Sequence, residues 1–384
     1  TAAAPTPAPA FQPDDCPAPR SIAAPALPAS SVDLTAAIGV FLSNGGAPAV
    51  LEGVLRGWGA ITPQGGVVQA DTDLTGDRIP EVLVNLYNPF TYNPEAVLNA
   101  GRLLIYGCDN DGYRLLYATP DNPGLALPVL HRVGDLNADI KAEVVYDIQS
   151  CTSTYCNREG AILSWNPIVG VFEVINSGQM LAINGRLGVL DADGDGILEI
   201  TAASLPVASA SSGPVRGVVD VWDYTGTNYV LAQRYTDDPR YRIHAIHDAD
   251  AALLAGNLDE ANRVYLLARD AEVPLLSWSI ANEFTLLRAM ANFRLVTTAV
   301  RGGNVGRAEQ YLNTLSADNP PGSPGEGFLL MAQVFMERVR AGEGSAGGCA
   351  AVQAALGTRP ELLALLNSYG SANRFYQPSE LCPF

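Results

Sequence analysis

The sequence predicts an α+β multidomain chain: three four-stranded antiparallel repeats, each the size of a propeller blade, followed by a C-terminal helical solenoid. Three observations predict it. An acidic ten-residue stretch recurs three times; between about residues 65 and 236 the apolar residues alternate with period two; from about residue 240 their spacing becomes helical. Self-similarity at a near-fixed period marks a repeat architecture.

The recurring stretch reads "DLTGDRIPEV" from Asp73, "DLNADIKAEV" from Asp135 and "DADGDGILEI" from Asp191. Each has Asp at its first and fifth positions, Thr, Asn or Asp at the third, Glu at the ninth and a β-branched residue at the tenth. A hard divalent cation takes six to eight oxygens, which alternate side chains of a short loop and one backbone carbonyl can supply. In the third loop the expected ligands are Asp191, Asp193, Asp195, the Ile197 carbonyl and Glu199. In the first they are Asp73, Thr75, Asp77, the Ile79 carbonyl and Glu81, with Asp71 near enough to help. In the second they are Asp135, Asn137, Asp139 and Glu143, but Lys141, the only lysine of the chain, takes the carbonyl position. Its cation opposes a metal and is expected to replace it, so the order of affinity is third, first, second. The bland alternative is a solvated acidic turn, since Asp and Gly dominate turns.

A closing Glu at position nine departs from the twelve-residue helix–loop–helix calcium pattern. The shorter loop running into a strand resembles the calcium loop of FG-GAP/VCBS (integrin-type) propeller repeats. That resemblance implies Ca2+ as the ion and places each loop between the first two strands of a blade. Three blades are fewer than a closed propeller normally uses.

The remaining segments fall around this centre. Residues 1–32 hold eight Pro and ten Ala and read as an extended arm. Such an arm needs something to hold it, either Cys16 or a neighbouring subunit. Over residues 33–62, "SVDLTAAIGVFLSNGG" and "APAVLEGVLRGWG" carry helix start and stop signals and predict a helical hairpin. The β domain covers 63–238, with "EVLVNLY", "EVVYDI" and "LEITAASL" leaving the three loops. Over 239–384, "AGNLDEANRVY" is echoed by "GGNVGRAEQY", and a third pair is expected from "EGFLLMAQVF" to "ELLALLNSYG". These pairs resemble tetratricopeptide repeats, which implies a groove presented to another protein.

Composition narrows the function. A net charge of −17 with a pI near 4.5 argues against nucleic acid and anionic membrane as partners. No apolar run approaches the roughly 18 residues that a transmembrane helix needs. Six cysteines, without a CxxC pair, suggest disulfides and an extracellular or cell-surface protein whose signal peptide has been removed. The pairing 151–156 closes a local loop, 349–382 joins the C-terminal region and 16–108 remains, although six cysteines allow fifteen connectivities.

Enzymatic chemistry is not expected. The sequence has no Gly-rich phosphate loop, no G-x-S-x-G elbow and no Cys/His nucleophile pair. His244 and His247 in "HAIHD" could be two metal ligands, though packing is the commoner role. Trp165, Trp222, Tyr224 and Tyr229 could pack between blades or offer a sugar platform. The expected function is an exported, calcium-stabilised structural protein, a homo-oligomer or homopolymer joined through its arm and helical domain into a filament, tube or surface layer. The alternative is a cell-surface module that binds a glycan or peptide.

Overall fold

The computed structural model describes residues 16–153, 155–278 and 280–384. Residues 1–15 of the Pro/Ala arm lie outside them. The chain forms two compact units. The first contains the described residues up to Pro206 together with Gly217–Thr236; the second contains Val207–Arg216 and Asp237–Phe384.

In the first unit, α1 (Ser31–Ser43) and α2 (Pro48–Gly57) form a hairpin. Ser30 caps α1 by accepting the Asp33 N–H at 3.3 Å, and Pro48 opens α2 where no amide donor is needed. The described part of the arm, expected to be extended, packs onto this hairpin. Arg20 N–H donates to the Gly45 carbonyl at 2.7 Å, Ile22 joins the core, and Trp58 Nε1 donates to the Pro25 carbonyl at 3.0 Å.

Three antiparallel sheets follow. The first runs β1 (Val67–Gln69), β2 (Val82–Tyr87), β3 (Gly101–Asp109), β4 (Gly112–Ala118) in spatial order. The second runs β5 (Val129–Gly134), β6 (Glu143–Cys151), β7 (Cys156–Asn166), β8 (Val171–Val174), and β9 (Met180–Ile183) also pairs with β7. The third runs β10 (Arg186–Leu190), β11 (Glu199–Ser204), β12 (Val218–Tyr224), β13 (Tyr229–Thr236). The expectation of four strands per repeat is therefore corrected for the second sheet, which has five. Strand β7 is long enough for β8 to pair with Leu163–Asn166 while β9 pairs with Asn157–Gly160.

Side chains on the two faces of the central strands β2, β3, β6 and β7 enter different cores. Val82, Val84 and Leu86 of β2 pack with α1 and α2, whereas Leu83 packs with Val144 and Tyr146 of β6. Val145 of β6 and Ile162 of β7 then meet Ile200, Ala202 and Trp222 of the third sheet. Hairpin and sheets thus stack in chain order, and burial on both faces explains near-continuous apolar runs such as "VLVNLY".

Three disulfides join Cys16 to Cys108 of β3, Cys151 to Cys156 across the β6–β7 turn, and Cys349 to Cys382. They are compatible with an extracellular protein. Among the described residues, no helix is long and apolar enough to cross a membrane.

The second unit is helical: α3 (Arg242–Leu254), α4 (Leu258–Arg269), α5 (Glu283–Arg301), α6 (Val305–Asp318), α7 (Glu326–Arg340), α8 (Gly344–Leu356) and α9 (Pro360–Leu366). The echoed turns are built alike. Asn257 and Asn304 accept the Glu260 and Arg307 amides at 3.2 and 3.0 Å, each after a glycine with positive φ. The third pair is α7 with α8, closed at Gly342, rather than a pair reaching to residue 370. The small residues of α8 allow this, since a side chain at Gly348 would strike the Phe335 ring.

The centre of this unit is charged. Arg294 and Asp250, each 1% exposed, lie 3.0 Å apart. The Tyr265 and Tyr376 hydroxyls donate to Asp250, and Arg294 reaches the Glu380 and Leu381 carbonyls. Removing one partner of such a pair typically costs about 3–5 kcal/mol. The two histidines of "HAIHD" belong to this packing. His244 Nε2 lies 3.3 Å from the Pro214 carbonyl, and the His247 ring lies against Tyr376.

Burial lowers the pKa of both histidines, that of His247 to about 4. The unfolded chain takes up that proton near pH 6.5, so the contribution to stability is full above pH 6.5 and is lost as the pH falls through about 4. Urea unfolding followed by helical ellipticity should show stability falling between pH 6.5 and 4, by up to about 1.4 kcal/mol per pH unit for each such group. The slope should shrink in His247→Phe.

Candidate metal sites in three acidic loops

Each acidic loop links the first two strands of its sheet, β1 to β2, β5 to β6 and β10 to β11. The ninth-position glutamates lie where the loop becomes a strand, and Glu81, Glu143 and Glu199 are only 4, 0 and 4% exposed. Each is held by the same bond. The amide of the second loop residue donates to its Oε2, from Leu74 at 2.6 Å, Leu136 at 3.0 Å and Ala192 at 2.5 Å.

The rest of the scaffold repeats as well. The sixth-position amides of Arg78, Ile140 and Gly196 donate to Oδ2 of Asp73, Asp135 and Asp191 at 2.7, 2.9 and 3.2 Å. The seventh-position amides of Ile79, Lys141 and Ile197 donate to Oδ1 of Asp77, Asp139 and Asp195 at 2.8–2.9 Å. Positions four and six are left-handed in every loop. Glycine supplies this at Gly194 and Gly196, but Ala138, Ile140 and Arg78 adopt it too, with φ of 60, 73 and 73°. That conformation costs a residue with a Cβ roughly 1–2 kcal/mol. The carboxylate–amide bonds offset it.

The loops differ in where their carboxylates meet. In the third, one oxygen each from Asp191, Asp193 and Asp195 lie within 4.8 Å of one another, and all three residues are exposed. In the first, Asp73, Asp77 and Glu81 meet as closely, in a more buried setting. Either group could hold a metal ion. Glu199 is outside the third loop's set and stays bound to the Ala192 amide. Thr75 donates its hydroxyl to Glu81 at 3.1 Å. In the second loop Asn137 replaces a carboxylate, and Asp135, Asp139 and Glu143 form no comparable group among the described residues. Lys141 does not stand in for an ion there. Its side chain is exposed, and among the described residues no carboxylate lies within 4.0 Å of its ammonium.

Ser164 of β7, which nothing in the loop pattern signals, donates to Glu143 at 3.3 Å. Beyond the loops, buried Asp147 is held by Arg158 at 2.9 Å and by His131 at 2.7 Å, a polar link across β5, β6 and β7. Trp222 and Tyr229 are buried between the second and third sheets, so their rings are core rather than platform. Trp165 packs edge-on against Phe172, and Tyr224 leans on Tyr229.

No protein-family model matches the chain, and no curated protein matches it in sequence.

Burial raises the pKa of Glu81 and of Glu143 to about 7, opposed by the Leu74 and Leu136 amides and reinforced by neighbouring aspartates. A raised carboxyl contributes stability below its ordinary pKa of about 4.5, and that contribution is lost as the pH rises through about 7. In chelator at pH 8, Glu81→Gln should therefore be more stable than the parent chain by roughly 1–3 kcal/mol. At pH 4.5 the two should unfold at similar urea concentrations.

Proposed function

We propose that this chain is an exported structural protein whose acidic loops bind Ca2+ and whose copies assemble into an extracellular filament, tube or surface layer. The observation that carries the reading is the pair of converging carboxylate groups, Asp73/Asp77/Glu81 and Asp191/Asp193/Asp195, built on one repeated backbone scaffold. Their donors are all oxygens, which favours a hard cation over zinc or copper. The exposed third loop suits calcium, which tolerates flexible geometry, better than magnesium, which demands near-ideal octahedral coordination. In this reading the loops are of the FG-GAP type and the three sheets are blades. The three disulfides and the net charge of −17 are consistent with an exported protein that recruits cations.

Calorimetric titration should find Ca2+ binding at the first and third loops, with the third the tighter. Binding to the folded state alone should raise the melting temperature in proportion to the logarithm of calcium concentration. Asp193→Asn with Asp195→Asn should remove one of the two binding events. Silence at millimolar Ca2+ would remove calcium from the proposal.

Assembly is tested separately. Light scattering of the intact chain in calcium should show species larger than a monomer. A chain starting at Asp15, which keeps Cys16 and the packed segment behind it, should stay monomeric with unchanged melting. An intact chain that stays monomeric at high concentration would instead favour a ligand-binding module.

A further inference from the structure

The FG-GAP resemblance implies an ion at every acidic loop, and the second loop does not fit one. Its third ligand position carries Asn137, which is buried. Asn137 Oδ1 accepts the Asp139 amide at 3.1 Å, just as Asp193 Oδ1 accepts the Asp195 amide at 3.1 Å in the third loop. Asp193 keeps a second oxygen for a cation. Asn137 has an NH2 group in that place, a donor that cannot ligate. The closing glutamate is also taken. Glu143, with no exposed surface, receives the Leu136 amide on Oε2 and the Ser164 hydroxyl on Oε1.

The group facing that NH2 comes from the next sheet. Tyr224 ends β12, and its hydroxyl oxygen accepts from the Asn137 side chain, with the Asp139 and Glu143 carboxylates close by. Tyr229, whose ring centroid is 5.3 Å away, holds the Tyr224 ring against the core that contains Leu136. A second tie lies alongside, where the Leu198 amide of the third loop donates to the Leu136 carbonyl at 2.7 Å. Strand register shows why the other loops lack this arrangement. Ile200 pairs with Trp222 and Val144 with Leu163, so the counterpart of Tyr224 in the second sheet is Trp165. Trp165 packs against Phe172 between the first and second sheets, and its indole has no hydroxyl to offer the first loop. The third loop has no later sheet to meet. The two loops without such a hydroxyl are the two whose carboxylates converge.

We propose that the second loop is a metal-free joint between the second and third sheets, in which Tyr224, Ser164 and the Asn137 amide do what an ion would do elsewhere. The proposal rests on the calcium reading above and sets its stoichiometry at two ions rather than three. A buried acceptor must be met by a donor, and a hydroxyl or an amide N–H meets it without a cation. Asn137 and Tyr224 act together, since the NH2 removes a ligand oxygen and the phenol occupies the side from which an ion would be bound. The joint is therefore permanent, while the first and third loops respond to calcium.

Native mass spectrometry of the full chain in saturating Ca2+ should count two ions. Adding Ca2+ should slow hydrogen exchange at least tenfold at the amides of Gly76, Arg78, Gly194 and Gly196, and leave Asp139, Ile140 and Lys141 unchanged. Asn137→Asp with Tyr224→Phe should take up a third ion, which Asn137→Asp alone should hold at least tenfold more weakly. A third ion on the parent chain, or slowed exchange at Ile140, would overturn the joint and leave calcium binding at the other loops standing. A double variant that gains no ion would overturn it as well, and equal affinity in the single and double variants would remove Tyr224 from it. A parent chain that takes up no ion would sink the calcium reading, and the double variant would then decide the joint, one ion supporting it and none overturning it. If Asn137→Asp fails to fold, exchange in the parent chain decides.

Discussion

Glu81, Glu143 and Glu199 each sit buried at the point where a loop becomes a central strand, and each is met by the amide of the loop's second residue. A carboxylate in that position cannot be left without a donor, because burying it unsatisfied costs several kcal/mol. The bond therefore fixes the length of the loop and turns it back on itself. The two left-handed residues follow from that closure, and the first- and fifth-position aspartates complete it by accepting amides within the loop. The charge cluster is thus a by-product of how the strand is started. An ion would occupy a frame that the backbone already holds.

The second loop residue has another task. Leu74 is buried between the first and second sheets, and Leu136 between the second and third. Each thereby ties its loop to the next sheet in the stack. The third loop has no later sheet to meet, and there the residue is Ala192, which is exposed. This difference explains why Asp191, Asp193 and Asp195 stand in solvent while Asp73, Asp77 and Glu81 are partly enclosed. Position in the stack, more than ligand identity, separates the two sites. As in other repeat proteins, each unit depends on its neighbours to cover its faces.

Much of this was legible in sequence because the signals were periodic or chemically specific. Three acidic stretches in register located the loops, and the period-two runs located the strands that leave them. The Asn-capped turns at Asn257 and Asn304 repeat because both must supply an acceptor after a left-handed glycine. Other features depend on tertiary packing and leave little trace. Strand β9 is four residues long and exists because β7 is long enough to hold two partners. Helix α8 carries three glycines, which weaken a helix, yet at Gly348 close approach to Phe335 requires the missing side chain. The part of the arm that packs onto α1 and α2 looked like linker because Pro and Ala dominate it; Ile22 and the Pro25 carbonyl supply the contacts. Lys141 looked like a replacement for an ion, but a hydrated ammonium gains little by entering a half-buried loop.

The bond between Cys16 and Cys108 has a mechanical consequence. Strand β3, which carries Cys108, is flanked by β2 and β4; Leu104–Tyr106 are held by ladders on both edges, whereas Cys108 itself pairs with β4 alone. Tension applied to the chain ahead of Cys16 reaches that interior strand through a covalent link, bypassing the stretch from Pro17 to Ala29 that packs on α1 and α2. Force on an interior strand must act against two ladders together, whereas force on an edge strand can peel one ladder a bond at a time. The tether therefore hands its load first to the β3–β4 hairpin at Cys108 and, from Tyr106 inward, to both ladders together.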